Sequence, residues 1–190
     1  MAEMRGWPDR VRTVFVATMF AIALAGFAVS AFLHFSTYTD FFAVRRFGEC
    51  TFLHAAMFVP FLGALAFFAR RKKLLGASAS WKELFPFGCP GWLQLATGCV
   101  CLYAAVNFVL FVATNEGLPR RTDDTPTKYA LMDRSVIRRG IGEDEYHRRR
   151  EQHLRGMSGH WMAFFLVPAV AFGVYLFRGG RDGRRTLEVP

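Results

Sequence analysis

Four stretches of the chain contain no Asp, Glu, Lys or Arg, and every charged residue lies between or beyond them. They comprise residues 13–34, 51–69, 92–114 and 157–177. A helix that rises about 1.5 Å per residue needs roughly 20 apolar residues to cross a bilayer core of about 30 Å. Because lipid offers the backbone no hydrogen-bond partners, segments of this kind must be helical. The pattern predicts an all-α membrane protein, a four-transmembrane-helix bundle that forms a single membrane domain over residues 1–190.

The longest polar segment, residues 115–156, separates the third and fourth stretches. Its first ten residues, NEGLPRRTDD, are turn-forming and aperiodic, so this part is predicted to be irregular. The strings KYALM and SVIRR, separated by two polar residues, are typical of a short β-hairpin. Three acidic residues then follow Gly142, and three arginines come a turn later, a charge order that suits the start of a helix. The segment is predicted to form a small extracytoplasmic cap, a β-hairpin plus a helix that runs on into the fourth span.

Residues 128–165 combine a tyrosine-containing strand, an arginine-rich strand, an acidic helix start with Glu-Tyr, a Leu-Arg pair and the string SGHWM. This combination resembles an uncharacterised family of small bacterial multi-pass membrane proteins with a C-terminal hairpin-helix-SGHWM segment. The chain departs from the pattern at Thr127, where a glycine usually precedes the tyrosine strand. The resemblance implies this arrangement of elements in a bacterial membrane protein and carries no activity with it.

Basic residues beside the apolar stretches indicate which ends face the cytoplasm. The string RRKK at 70–73 follows the second stretch, and four arginines between 178 and 185 follow the fourth. Short basic flanks tend to stay in the cytoplasm, so we expect a multi-pass protein of the bacterial inner (plasma) membrane with both termini cytoplasmic. The formal net charge of +9 does not indicate nucleic acid, because the basic residues lie where they anchor helices and meet anionic lipid. The expected partners are the lipid bilayer, other membrane proteins or a second copy of the chain.

All five histidines fall on one side of the predicted bundle, and His34, His54 and His160 lie at or near span ends. Neutral imidazoles on facing helices are the usual ligands by which a bundle holds haem b. We therefore name His34, His54 and His160 as candidate haem-binding residues, and His54, His160 and Cys50 as candidate ligands of a transition metal. The favoured interpretation is that these are interfacial side chains, hydrogen-bonded to their neighbours and without a cofactor.

Few other strongly polar side chains lie within the spans. Tyr103 and Asn107 are four residues apart on one face of the third span, where we expect them to bond to neighbouring helices. No span carries a charged side chain, and the sequence has no internal repeat, so a small transporter is only the third interpretation. No HExxH, GxSxG or phosphate-binding glycine loop occurs, and no catalytic residue is named. The sequence favours a structural or accessory interaction protein over an enzyme, with a haem b or metal-binding redox protein as the alternative.

Overall fold

A computed structural model describes residues 8–39, 51–75, 90–133 and 135–185 of the chain. The elements are, in chain order, α1 (Asp9–Ser36), α2 (Thr51–Ala56), α3 (Phe58–Leu75), α4 (Gly91–Thr114), β1 (Leu118–Arg121), β2 (Tyr129–Asp133), β3 (Val136–Gly140) and α5 (Glu143–Arg185). Four helical segments in these ranges are long and apolar enough to cross a membrane, as predicted: Arg10–Ser36, Phe52–Arg70, Gly91–Thr114 and Glu143–Phe177. The protein is therefore mostly helical, with a small antiparallel sheet.

Helix α5 is the centre of the helical assembly, because α1, α3 and α4 all pack against it. Gly26 brings α1 close to α5, since a Cβ at this position would come within 2.6 Å of Cζ of Phe165. Two apolar clusters fill the space between the helices. The first contains Leu33, Leu53, Met57, Trp161 and Phe165, and the second contains Val16, Ala64, Phe67 and Phe172.

The second apolar stretch is interrupted at Met57, between α2 and α3. Pro60 lies three residues further on and has no N–H to donate to the carbonyl of Ala56, and a proline ring clashes with the carbonyl four residues before it. The neighbouring bonds persist, from Met57 N to Leu53 O at 3.0 Å and from Phe61 N to Met57 O at 3.4 Å. The effect of Pro60 is thus present as a one-residue break in the helix. Pro168, by contrast, lies within α5 without interrupting it.

The three strands form one antiparallel sheet in the order β1-β2-β3. The predicted hairpin is confirmed as β2 and β3, although Asp133 pairs with Val136 and therefore belongs to the strand rather than to the turn. The prediction of irregular structure over residues 115–124 was wrong at β1, which pairs with β2 from Leu118↔Met132 to Arg121↔Tyr129. Pro119 argued against a strand in the sequence. The strand forms nevertheless, because proline is tolerated in a strand that has a neighbour on one side only.

The sheet is attached to the first turns of α5. Tyr146 of α5 packs with Leu131 and Ile141 in a small apolar cluster of its own. Ion pairs reinforce this contact: Glu116 accepts from Arg149 at 2.7 Å and from Arg139 at 3.5 Å, and Arg139 also contacts Glu145 at 2.6 Å. The predicted unbroken helix is confirmed, because α5 continues from Glu143 through both Gly156 and Gly159. The sheet and the first two turns of α5 thus form one unit, which we call the cap.

Protonation of Glu116 is expected to loosen the cap. Hydrogen bonding by Arg149, and to a lesser extent by Arg139, holds the pKa of Glu116 below its ordinary value of 4.5. Because the folded-state pKa is the lower one, the stabilising contribution is present above the ordinary value and is lost as the pH falls through the lowered value. We expect amide protection factors in β1 to fall as the pH is lowered below the ordinary value of 4.5. The variant Glu116→Gln should have lower protection that declines less steeply, since Glu145 still titrates beside Arg139. An equal decline in both proteins would contradict this assignment.

Candidate functional site

Polar side chains from the end of α1, from α4 and from α5 meet beside the cap in a connected group, which we call the polar junction. His34 and Ser158 within it have no exposed surface, whereas Tyr38 is 56% exposed and marks its outer edge. The members of the polar junction are His34, Thr37, Tyr38, Tyr103, Asn107, Arg155 and Ser158.

His34 uses both ring nitrogens within the polar junction. Its Nδ1 lies 3.2 Å from the carbonyl oxygen of Arg155 and 3.1 Å from Oγ of Ser158, and its Nε2 lies 2.6 Å from the hydroxyl of Tyr103. A carbonyl can only accept, so the network assigns the proton to Nδ1 and leaves Nε2 to accept from Tyr103. The Tyr103 hydroxyl in turn lies 3.0 Å from that of Tyr38. In its neutral form, His34 therefore links the three elements with both ring nitrogens engaged, and no lone pair is left for a metal.

Asn107 joins α4 to the backbone of α5. Its Nδ2 donates to the carbonyl of Arg155 at 3.1 Å and to that of Gly156 at 3.3 Å. This approach depends on Gly159, where a Cβ would come within 2.5 Å of Nδ2 of Asn107 and 3.3 Å of Cε1 of His34. Both polar residues predicted in the third span thus contact another helix, Tyr103 through His34 of α1 and Asn107 through α5.

Arg155 connects α5 to the end of α1. Its Nε donates to Oγ1 of Thr37 at 3.0 Å, and one terminal nitrogen donates to the carbonyl of the same residue at 2.6 Å. The guanidinium carbon lies 4.2 Å from the centre of the Tyr38 ring. Carbonyls at a helix C-terminus carry partial negative charge, so a cation is stabilised there. Arg155 therefore caps α1 while it stacks on an aromatic ring.

A separate histidine pair lies on the other side of α5. The rings of His54 and His160 are stacked, with centres 6.2 Å apart and planes at 22°. His160 also stacks on Phe108 at 4.9 Å, and His54 accepts a hydrogen bond at Nδ1 from Nε1 of Trp161 at 3.3 Å. Ser158 and His160 are two residues apart on a helix and so face nearly opposite directions. The structure thus brings together two of the three candidate haem ligands, and it places His34 in the polar junction instead.

The histidine pair offers a metal or haem iron limited ligation. The bond from Trp161 occupies the Nδ1 lone pair of His54, so a neutral His54 carries its proton on Nε2. Metal-bound histidines ordinarily donate from their second nitrogen rather than accept at it. Cys50, the third candidate metal ligand, lies outside the described residues, and no group of three or more His, Cys, Asp or Glu side chains suited to a metal occurs within the described ranges.

Two residues of this region were not recognised in the sequence. Arg155 is adjacent to the fourth apolar stretch and resembles any interfacial anchor until α1 is placed beside it. Trp161 resembles an ordinary core residue, and its bond to His54 depends on how α2 meets α5. Arg155 and Ser158 are three residues apart and so lie on one helix face. This spacing is the one sequence signal that could have indicated that Arg155 and Ser158 belong to the same site.

The geometry described above is the basis for any functional assignment. A comparison of the chain with protein-family models, with curated proteins and with solved structures finds no match. The resemblance of residues 128–165 to a family of small bacterial membrane proteins accordingly stays a prediction.

Proposed function

We propose that this chain is an integral protein of the bacterial inner membrane that acts as a structural or accessory interaction partner, with both termini in the cytoplasm and the cap outside. The four long apolar helices support membrane insertion. So does the exposed surface of α4, where apolar side chains suited to lipid face outward along its length, among them Leu95, Leu102, Val109 and Leu110. The basic flanks at 70–73 and 178–185 support the orientation.

One observation carries the accessory role, namely the way in which the polar junction satisfies its own hydrogen bonds. The side chains of His34, Tyr103 and Asn107 form hydrogen bonds to side-chain or backbone atoms of neighbouring helices. Buried polar groups paired in this way specify helix packing. Helix α5 then continues without a break from this junction into the cap. A rigid connection between buried helices and an external sheet suits a protein that presents a surface in a fixed position.

The cap is the element that we expect to contact a partner protein. Val136 on β3 is 68% exposed, and β3 has a neighbour on one side only within the described sheet. A photo-crosslinking amino acid at Val136 should form one discrete adduct in native membranes, and the adduct should form again from the two purified proteins in nanodiscs. The same amino acid at Val109, which is 64% exposed on α4, is the matched control and should contact lipid. Release of the chain by alkaline carbonate, or no adduct from any cap position, would overturn the proposal.

The stacked histidine pair supports a second candidate, a redox protein that holds haem b or a transition metal between His54 and His160. A bound cofactor predicts a Soret band that shifts on reduction, or about one metal ion per chain, in gently purified protein. Either signal should disappear in His54→Ala and His160→Ala and persist in His147→Ala, the control in the cap. An absorption spectrum without a Soret band, from folded protein free of metal, excludes this candidate and leaves the accessory role.

A further inference from the structure

Among the residues that the structure describes, contacts to the guanidinium of Arg155 occupy one edge only. Its Nε and one terminal nitrogen donate to Thr37, which accounts for two of the five N–H donors that an arginine carries. Two of the remaining three donors lie on the edge formed by the two terminal nitrogens. That edge has the fork geometry which binds a phosphate or carboxylate through two parallel hydrogen bonds.

Arg155 also has no carboxylate partner among the described residues. The ion pairs there involve other cations, namely Arg138, Arg139, His147 and Arg149. Desolvating a cation is costly unless an anion or a set of acceptors compensates it. The carbonyl of Thr37 and the Tyr38 ring compensate part of that cost, and no acceptor within the described ranges occupies the other edge of the guanidinium.

The position of Arg155 determines which anion it can reach. The residue lies two positions before the fourth apolar stretch, at the level where α1 ends. Tyr38, which it covers, is half-exposed, and tyrosines of this kind are enriched at the level of lipid headgroups. If the helices cross the membrane as proposed above, this other edge of the Arg155 guanidinium lies at the depth of the phosphate groups.

We propose that Arg155, stacked on Tyr38, binds a phosphate group, and that an anionic phospholipid headgroup in the outer leaflet supplies it. The inference rests on the proposed membrane function. The bound lipid connects α1 and α5 at the edge of the polar junction, because the same guanidinium holds Thr37 and the phosphate. The ring of Tyr38 stacks on the guanidinium of Arg155 and orients it.

The test measures lipid retention by native mass spectrometry on the full chain in micelles that contain phosphatidylglycerol or phosphatidylcholine. The wild type should retain phosphatidylglycerol selectively. Arg155→Gln should retain about fivefold less, since one interfacial cation contributes on the order of a fivefold effect. Arg148→Gln, seven residues earlier on the same helix and exposed, removes the same charge and should match the wild type. Arg155→Lys keeps a cation at the C-terminal end of α1 but lacks the fork of the guanidinium, so the retention of phosphatidylglycerol should fall about twofold or more.

The outcomes separate the ligand source from the fold. Equal retention in the wild type, Arg155→Gln and Arg155→Lys would overturn the proposal, as would an equal loss in Arg148→Gln. Millimolar inorganic phosphate added to the micelles should not displace phosphatidylglycerol. If it does, and if the chain retains the two lipids equally, then free phosphate is the ligand. That result would overturn the proposal that a lipid supplies the phosphate. Flotation with vesicles tests insertion separately: a wild-type chain that fails to float contradicts the membrane function, whereas floating chains that lack lipid selectivity contradict this inference alone.

Discussion

Replacing Gly156 by alanine is expected to destabilise the contact between α4 and α5 by about 2 kcal/mol, within the usual range for overpacking. A Cβ at this position would lie 2.7 Å from Cβ of Phe111 and closer still to its ring. The nearest atoms belong to the ring and to the Cβ beside the backbone, so a change of rotamer cannot relieve the whole overlap. The two helices must separate, which also stretches the bonds from Asn107 to α5. Reversible unfolding in mixed micelles, followed by tryptophan fluorescence, measures the change.

Two controls isolate the steric cause. Gly98→Ala makes the same substitution on α4, where nothing lies within 4 Å of the new Cβ, and should be neutral or stabilising by up to about 1 kcal/mol because alanine favours helix. Removing the ring in Phe111→Ala should abolish most of the cost of Gly156→Ala, a coupling that a double-mutant cycle measures. An equal effect of Gly156→Ala with and without Phe111 would show that backbone conformation rather than packing is responsible.

The helices of this protein could be predicted from composition because lipid imposes one backbone solution on a long apolar segment. The break at Met57 was foreseeable from Pro60, whose missing donor is visible in the sequence. Strand β1 was not, since its evidence lies in the pairing of Leu118 with Met132, which no local pattern encodes. Short strands depend on their neighbours more than helices do, and this explains why β1 was missed although the hairpin of β2 and β3 was predicted.

The candidate site shows the same division between local and distant information. Span parity predicts that His34, His54 and His160 lie near one end of the helices, but it says nothing about which face of α5 each one meets. The structure assigns His34 to Tyr103 and Ser158, and it assigns His54 to Trp161 and His160. That choice depends on how α1 and α2 are rotated about their axes. In such helices the polar and apolar faces differ little, so the sequence does not indicate this rotation.

Replacing His34 by alanine is expected to have the largest effect of any single polar substitution, a loss of roughly 3 kcal/mol in the free energy of unfolding. The imidazole is fully buried and has neighbours on three elements, so its removal leaves a cavity and takes a partner from Tyr103 and from Ser158. The lost bonds hold α1 to both α4 and α5. We therefore expect α1 to separate first, with earlier proteolysis near residue 38 in the variant than in the wild type.

The cavity and the hydrogen bonds of His34 can be measured separately. Tyr103→Phe keeps the ring and leaves Nε2 of His34 without its donor, and this should cost about 1–3 kcal/mol. Tyr38→Phe removes a hydroxyl at the exposed edge whose one hydrogen-bond partner among the described residues is Tyr103. His147→Ala removes a partly exposed ring 3.7 Å from Glu143. Each variant should cost less than about 0.5 kcal/mol. If Tyr103→Phe proved as mild as Tyr38→Phe, the short bond between Tyr103 and His34 would not stabilise the helices. The effect of His34→Ala would then arise from the packing of the imidazole and from its Nδ1 bonds to α5, so that the polar junction would hold α1 to α5 by hydrogen bonds and to α4 by packing.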